Sequence, residues 1–337
     1  SNIAGVSGHE ADVRRAIKPH VQDYVDDMVV DAIGNLITHK TGTGAVDLKV
    51  LVTAHMDEVG LMVIDHESDG TLRVDTVGGI PDRLLPGLTV RVGEDAIPGV
   101  IGLQAIHRAN RQTFKRATEI KKLAVDIGAK DKQEAEKAAP LGTPITFATR
   151  FRPLGASWAG KAFDDRAGCA ILIQLLQGER LPFDLYGAFT VQEEVGLRGA
   201  RVATYTANPD VSFSLEGTLA DDLPKPEEEA DTSPTTELGA GPAITVMDRS
   251  YITPPQILRH VLRTAAEHAI PYQLKQPGIS GTEAGGTHRA RGGIPSITLA
   301  VPCRYIHSPI SLIAPDDVTA THRLVDASLR ALTPATL

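Results

Sequence analysis

The pattern of hydrophobic and polar positions divides the chain into three parts. Residues 49–54 form a near-continuous apolar run, typical of a central parallel strand covered on both faces, and the run ends at His55. Residues 60–151 contain short alternating runs that Gly and Pro separate. After Gly160, apolar runs again alternate with segments of helical periodicity. The pattern predicts an α/β protein whose mixed, mostly parallel sheet is flanked by helices and carries an inserted small β-rich domain.

The same spacing predicts the individual elements. The first helix should open at residues 6–10, with Ser7 as N-cap and Glu10 at the capping-box position, and run to about residue 24. Further helices are expected over residues 131–138, 165–177, 197–205, 254–268 and 315–332. Strands are expected over residues 49–54, 185–191, 211–215, 243–247, 272–275 and 296–300, with a hairpin over 29–38 turning at Gly34-Asn35. In the β-rich part they are expected over residues 61–64, 72–77, 88–92, 97–101, 124–127 and 145–148.

Composition and charge narrow the classes of function. The 337 residues carry a net charge of −8, which argues against nucleic acid or an anionic membrane as the main partner. No apolar run approaches the ~20 residues of a membrane span, and no signal-peptide pattern opens the chain. Cys169 and Cys303 lack a paired-cysteine spacing, so we expect free thiols and a reducing, cytoplasmic compartment. Aromatic residues make up only 4 %, which speaks against sugar binding.

Metal-binding side chains follow several of the predicted strands. Each has an ordinary alternative, such as an acidic helix start, an exposed acidic turn or a partly buried histidine at a strand end. Parallel sheets, however, collect ligands at the carboxyl ends of their strands, where all these residues are expected. Nitrogen and oxygen donors without thiolate suit zinc, cobalt or manganese and permit two ions with one bridging carboxylate. The candidates are His55, Asp57, Asp164, Glu193, Glu194, Glu216 and His307.

Two of these segments suggest a division of roles. His55 and Asp57 share one face of an extended segment, so Asp57 could orient the imidazole of His55. Glu193 and Glu194 are adjacent carboxylates, which repel each other unless their roles differ. One could bind a metal ion while the other holds and deprotonates a bound water.

Eight segments, in order along essentially the whole chain, resemble the tetrahedral (TET-type) and glutamyl aminopeptidase family of dinuclear metallopeptidases. They are Gly5-Val6-Ser7-Gly8, Ala54-His55-Met56-Asp57-Glu58-Val59-Gly60, Gly99-Val100-Ile101-Gly102, Asp126-Ile127-Gly128-Ala129, Lys161-Ala162-Phe163-Asp164-Asp165-Arg166, Gln192-Glu193-Glu194-Val195-Gly196, Gly281-Thr282-Glu283-Ala284 and Arg304-Tyr305-Ile306-His307-Ser308-Pro309. The resemblance implies a zinc-peptidase-like fold and an aminopeptidase acting on short peptides.

Roles for single residues follow from that resemblance. It implies that His55 and Glu216 bind one metal ion, that Glu194 and His307 bind the other, and that Asp164 bridges the two. Glu193 would be the general base and Asp57 an outer partner, and the Asp164-Asp165 peptide bond could be cis. Thr282 and Glu283 are candidates for substrate binding.

The resemblance also bears on domains and assembly. Residues 1–65 plus 155–337 would form the metallopeptidase catalytic domain, and residues 66–154 a β-rich dimerisation domain. Dimers would then assemble into a hollow dodecamer.

The chain departs from the family pattern at three places. Glu216 stands where many relatives carry Asp, and Glu283 stands where Asp is common. The approach to His107 is rewritten as Leu103-Gln104-Ala105-Ile106, which leaves the role of His107 open. No proposed metal ligand is lost, so the chain is expected to be active.

Three other functions remain open from the sequence. A carboxypeptidase or deacylase could use the same metal pair, with Arg166 or Arg304 as the cation for a substrate carboxylate. A glycoside hydrolase could use two carboxylates without metal, but it leaves His55 and His307 without a role. A non-catalytic assembly protein with a vestigial site would show no bound metal.

Overall fold

The computed structural model of the protein describes residues 1–102, 118–224 and 233–337. The helices are α1 (Ala11–Val21), α2 (Lys132–Ala138), α3 (Phe163–Gln177), α4 (Arg198–Ala207), α5 (Pro255–Glu267), α6 (Ala284–Thr287) and α7 (Pro315–Arg330). The strands are β1 (Asp27–Val30), β2 (Leu36–Lys40), β3 (Lys49–His55), β4 (Gly60–His66), β5 (Leu72–Val77), β6 (Thr89–Val92), β7 (Ile97–Gly102), β8 (Ala124–Asp126), β9 (Pro144–Phe147), β10 (Arg152–Leu154), β11 (Ser157–Gly160), β12 (Asp184–Thr190), β13 (Val211–Ala220), β14 (Ala243–Ile244), β15 (Gln273–Leu274), β16 (Ser296–Arg304) and β17 (Ser311–Ile313).

Eleven of the strands in the described ranges form one mixed sheet. Its main path runs β1-β2-β12-β3-β13-β16-β17-β11-β10, while β14 pairs with β15 and β16. The four central strands β12, β3, β13 and β16 run parallel, and both margins of the main path are antiparallel. The predicted mixed α/β sheet is therefore confirmed, and the carboxyl ends of its central strands lie side by side.

The two faces of this sheet bury different kinds of side chain. On β3, Val50 and Val52 belong to a large apolar core that also holds residues of α1, α3, α5 and α7. Leu51 points to the opposite face, where it packs with Ala203 of α4. That second face also carries polar residues, since the Thr53 hydroxyl donates to Ser214 Oγ of β13 across 3.1 Å. The alternation along β3 places His55 on the polar side.

The remaining six strands close into a small antiparallel barrel in the order β4-β5-β8-β7-β6-β9. All six correspond to the short runs predicted between residues 61 and 148, and α2 corresponds to the helix predicted there. The barrel has its own apolar core, which includes Leu61, Leu72 and Val125. It joins the large sheet directly, because β3 and β4 are separated only by residues 56–59. The assignment of residues 66–154 to a separate domain stays a prediction.

Several element boundaries differ from those predicted. Strands β13 and β16 continue to residues 220 and 304, whereas the apolar runs predicted ends at 215 and 300. The predicted Ser7 cap is wrong: α1 begins at Ala11, and the Ser7 hydroxyl donates to the Asp57 carboxylate instead. A local capping pattern was overridden by a contact between residues fifty positions apart.

Two further expectations from the sequence concern His107 and membrane-spanning helices. His107 and the segment 103–106 lie outside the described residues. None of the helices within the described ranges is long and apolar enough to cross a membrane.

Candidate metal centre

His55 ends β3 in a completely buried position among carboxylates. Its Nε2 lies 3.3 Å from Asp164 Oδ1 and 3.6 Å from Glu216 Oε2. Its Nδ1 lies 3.2 Å from the backbone carbonyl oxygen of Asp57 and 3.5 Å from the Asp57 carboxylate. The structure therefore brings Asp57 to the ring nitrogen that faces away from Asp164 and Glu216, which is the arrangement the spacing predicted.

His307 follows β16 and occupies a more open position. Its Nε2 lies 3.2 Å from Glu194 Oε2 and 3.5 Å from Asp164 Oδ2, and 38 % of its side chain is exposed. Its backbone φ of 57° is in the left-handed region, which is uncommon for a residue other than glycine. Its Nδ1 lies 3.1 Å from the carbonyl oxygen of Gly79, in the segment after β5. Part of the surroundings of His307 thus comes from the barrel region.

Asp164 lies between the two histidines and presents one carboxylate oxygen to each. Oδ1 faces His55 and also accepts the backbone N–H of Gly217 at 3.0 Å, while Oδ2 faces His307. Gly217 is required here, because a Cβ at this position would lie 2.8 Å from the Asp164 side chain. The Asp164-Asp165 peptide bond is cis, as the resemblance implied.

The turn that follows β12 presents Glu193 and Glu194. The Asp57 carboxylate accepts their backbone N–H groups at 3.0 and 3.1 Å, so the same residue that lies against His55 also holds this turn. Glu10 accepts the backbone N–H of Gln192 at 3.1 Å and fixes the start of the turn. Oxygen or nitrogen atoms of His55, Glu193 and Glu194 lie within 4.8 Å of one another.

Burial and crowding shift the acid–base properties of these groups. Burial alone would lower the pKa of His307, but the carboxylates of Asp164 and Glu194 raise it to about 9. Burial raises the pKa of Glu194 to about 7, and the charge of Asp164 adds to this shift. Burial and repulsion from Glu216 raise the pKa of Glu193 well above its usual value. Such crowding of carboxylates is costly unless positive charge is supplied.

The donor set fits divalent metal ions. His55, Asp164 and Glu216 form one group of ligand atoms within 4.8 Å of each other, and Asp164, Glu194 and His307 form another. Both groups combine imidazole nitrogen with carboxylate oxygen and contain no thiolate, which suits zinc, cobalt or manganese. The five predicted ligands therefore converge, and they form two groups that share Asp164.

A small cleft opens beside His307, Glu194 and Asp164. Apolar side chains line much of it, and they come from both parts of the fold: Val59, Phe147, Phe163 and Ile306. Phe147 belongs to the barrel strand β9. The barrel thus contributes to the wall of this cleft.

Sequence reasoning did not identify several residues that shape this centre. Ser7 and Glu10 were interpreted as a helix cap, whereas they hold Asp57 and Gln192. Thr190 was not singled out, although it ends β12 directly opposite His55 in the parallel register. The sequence signal for Thr190 is a polar residue at the end of an apolar run. The Gly79 carbonyl carries no side-chain signal at all.

The two predicted substrate-binding residues lie deep in the structure. Thr282 is 2 % exposed and Glu283 is fully buried. The Thr282 hydroxyl donates to Asp248 at 2.9 Å, and the backbone N–H of Glu283 donates to Glu216 Oε1 at 2.7 Å. The role in substrate binding stays a prediction.

Comparison with known proteins bears on this centre. The sequence profile of the M42 glutamyl aminopeptidase family matches residues 34–324. The lysyl aminopeptidase of Pyrococcus furiosus is 34 % identical over 342 residues, covering 98 % of this chain and 94 % of the relative. A TET aminopeptidase structure from the marine sediment archaeon Thaumarchaeota archaeon superimposes with a TM-score of 0.92 at 34 % identity, covering 99 % and 96 % of the two chains.

A further structure shows how one relative assembles. The TET1 peptidase of Pyrococcus horikoshii, 32 % identical with a TM-score of 0.85, covers 98 % of this chain and 97 % of its own, and it can assemble into a tetrahedron or a large octahedral shell. Family, relatives and structures agree with the family resemblance that the eight sequence motifs indicated. The chain therefore belongs to the M42 glutamyl aminopeptidase family, a family of metal-dependent peptide hydrolases that remove N-terminal residues.

Proposed function

We propose that the protein is a dinuclear aminopeptidase in which His55 and Glu216 hold one divalent metal ion and Glu194 and His307 hold the other. Asp164 would bridge the two. The observation that carries this assignment is the orientation of Asp164, whose Oδ1 lies 3.3 Å from His55 and whose Oδ2 lies 3.5 Å from His307. A carboxylate with one oxygen directed at each group is what a shared ligand requires.

The metal pair would supply Lewis acidity, lowering the pKa of the attacking water and polarising the scissile carbonyl. Glu193 takes the proton from that water on its carboxylate and passes it to the nitrogen of the leaving amine. Asp57 supports this step in two ways, since it lies against Nδ1 of His55 and accepts the N–H of Glu193.

Replacing Glu193 by Gln tests the assignment of the base. The variant should keep the metal content of the wild type but lose about 10²- to 10⁴-fold in kcat, the range typical of a general base. Glu194→Gln is the matched contrast, because removal of a ligand should lower metal content as well as turnover. Metal analysis and steady-state hydrolysis of aminoacyl anilides measure both. A Glu193→Gln enzyme with near-normal kcat would refute the assignment.

A carboxypeptidase or deacylase function would need a cation for the substrate carboxylate. Arg304 makes two bonds to Asp222, at 2.6 and 2.8 Å. Arg166 is buried and donates to the backbone carbonyls of Met56 and Ile3. Both candidate arginines are thus engaged within the fold, which favours an enzyme that recognises a free amine. Comparing a free-amine peptide with its N-acetylated form tests this, and faster cleavage of the acetylated form would favour the alternative.

We further propose short peptides as substrates and zinc as the resident metal, with cobalt or manganese as substitutes. We propose that residues 66–154 mediate dimerisation and that dimers build a dodecamer, supported by the tetrahedral shell of the TET1 relative. Analytical ultracentrifugation of the metal-loaded protein measures the assembly.

A further inference from the structure

The two oxygens of Glu216 have different surroundings. Oε2 lies 3.6 Å from Nε2 of His55, in the group of candidate metal ligands. Oε1 instead accepts the backbone N–H of Glu283 at 2.7 Å. One oxygen is therefore occupied by a backbone donor, and the other is directed at the centre.

Glu283 is itself held from the opposite side. Its Oε1 accepts a hydrogen bond from the Thr190 hydroxyl, and its Oε2 has no hydrogen-bond partner. Thr190 ends β12 and Glu216 lies on β13, and these two strands flank β3, which ends in His55. Glu283 thus links the two neighbours of the strand that carries His55, through its side chain on one side and its backbone on the other.

The segment that leads into Glu283 is fixed by a second set of contacts. The Thr282 hydroxyl donates to Asp248 Oδ2 at 2.9 Å and lies 2.9 Å from the Thr298 hydroxyl of β16. The other oxygen of Asp248 accepts the backbone N–H of Ser250 at 2.6 Å. Glu283 therefore presents its N–H from an anchored loop and is itself completely buried.

We propose that Glu283 is a positioning residue for Glu216. Its bond to Thr190 holds its backbone N–H against Glu216 Oε1, so that Glu216 offers only Oε2 to the metal ion beside His55. The proposal rests on the proposed function, because it takes Glu216 as a metal ligand. Outer partners of this kind usually matter for affinity: their loss weakens metal binding by about 10- to 100-fold.

Metal titration of four variants of the full-length, metal-stripped protein tests the proposal. Glu283→Ala and Thr190→Val each remove the anchoring bond, and each should weaken one of two zinc equivalents by about 10- to 100-fold while the other stays unchanged. Glu283→Gln and Thr190→Ser retain an acceptor and a donor, so both should bind nearly as the wild type does. Thr204→Val is the matched control, since Thr204 is equally buried and bonds only within α4.

Cobalt absorption spectra supply a second readout that a general loss of stability would not produce. Cobalt-loaded Glu283→Ala should show a changed spectrum for the weakened equivalent, and Thr204→Val should not. Should Glu283→Ala fail to fold, Thr190→Val carries the same test from the other end of the bond.

Three results would overturn the positioning role. One is two unchanged zinc affinities in Thr190→Val or Glu283→Ala, and another is equal weakening of both equivalents. The third is a loss in Glu283→Gln as large as in Glu283→Ala, which would make the Glu283 charge rather than its anchor decisive. Wild-type protein that binds no zinc would overturn the proposed function as well, so the two failures are distinguishable.

Discussion

The two histidines of the centre are held in opposite ways. His55 is fully buried at the end of a parallel strand and lies between carboxylates on both sides of its ring. His307 lies on a loop, is 38 % exposed, and contacts the carbonyl of Gly79 from the barrel region. The half of the site around His55 is therefore buried at the end of a central strand, and the half around His307 is open to the cleft beside it.

The two histidines therefore differ in their exposure to water. Charges around His55 are shielded from water, so removing one member of a pair there would leave an uncompensated buried charge. His307 itself is partly exposed, whereas the carboxylates that face it, Glu194 and Asp164, have side chains that are only 3 % and 12 % exposed. Asp164 belongs to both halves, and variants of the site should therefore differ according to the half they touch.

The largest effect is expected from Asp164→Asn, which alters the residue common to both halves. The variant should bind both metal ions more weakly. Its activity should fall by more than about 10- to 100-fold, which is the typical loss when a residue that hydrogen-bonds to a metal ligand is removed. Metal analysis and hydrolysis of aminoacyl anilides measure this. Asp184→Asn serves as control, because Asp184 begins β12 and so lies at the end of that strand away from Glu193 and Glu194. Retention of two tightly bound ions by Asp164→Asn would contradict the bridging role.

The next effect should distinguish the halves directly in metal-free protein. His55→Ala leaves buried carboxylates without their partner and should lower the free energy of unfolding by about 3–5 kcal/mol. His307→Ala removes a partner that is itself 38 % exposed, so its cost should be smaller than that of His55→Ala. Denaturant unfolding in the presence of a chelator gives both values. Equal losses of unfolding free energy in His55→Ala and His307→Ala would contradict the difference between the buried and the open half of the site.

The stability of the metal-free protein should fall as pH rises from about 5 to about 9. The pKa of His307 is raised to about 9, so its stabilisation is complete below the unfolded value of about 6.5 and is lost as pH rises through 9. The pKa of Glu194 is raised to about 7, so the native state is favoured at low pH and loses that advantage as pH rises through 7. Thermal unfolding at several pH values measures the sum. A melting temperature that increases between pH 6 and 8.5 would contradict it.

The smallest effect is expected from Arg304→Lys, near the open half. The bonds from Arg304 to Asp222 join the end of β16 to the segment after β13, and a lysine cannot make both. Because Arg304 is 26 % exposed, the loss should be about 1 kcal/mol or less, with turnover of free-amine peptides nearly unchanged. A large selective loss on substrates with a free carboxylate would instead indicate a direct role in binding.

Much of the fold and most of the centre could be predicted from the sequence. The six barrel strands and the central strands follow apolar runs, because burial on one or both faces is encoded in neighbouring residues. His55, Glu194, Glu216 and His307 converge because they come from β3, β13 and the turns after β12 and β16, four parallel strands whose carboxyl ends lie together. Asp164 comes instead from the start of α3. Strand lengths were less predictable, since β13 and β16 extend through residues whose pairing, rather than hydrophobicity, keeps them in the sheet.

By itself the sequence determined the α/β class, the strands of the β-rich part and the set of candidate metal ligands, because residue chemistry and local periodicity are sufficient for these. Only the tertiary structure decided which oxygen faces which histidine. In the folded chain the Ser7 hydroxyl donates to Asp57 and does not cap a helix, and the Gly79 carbonyl lies beside His307. Glu283 lies between Thr190 and Glu216. These contacts join backbone groups and side chains that are far apart in the chain, and no local pattern encodes them.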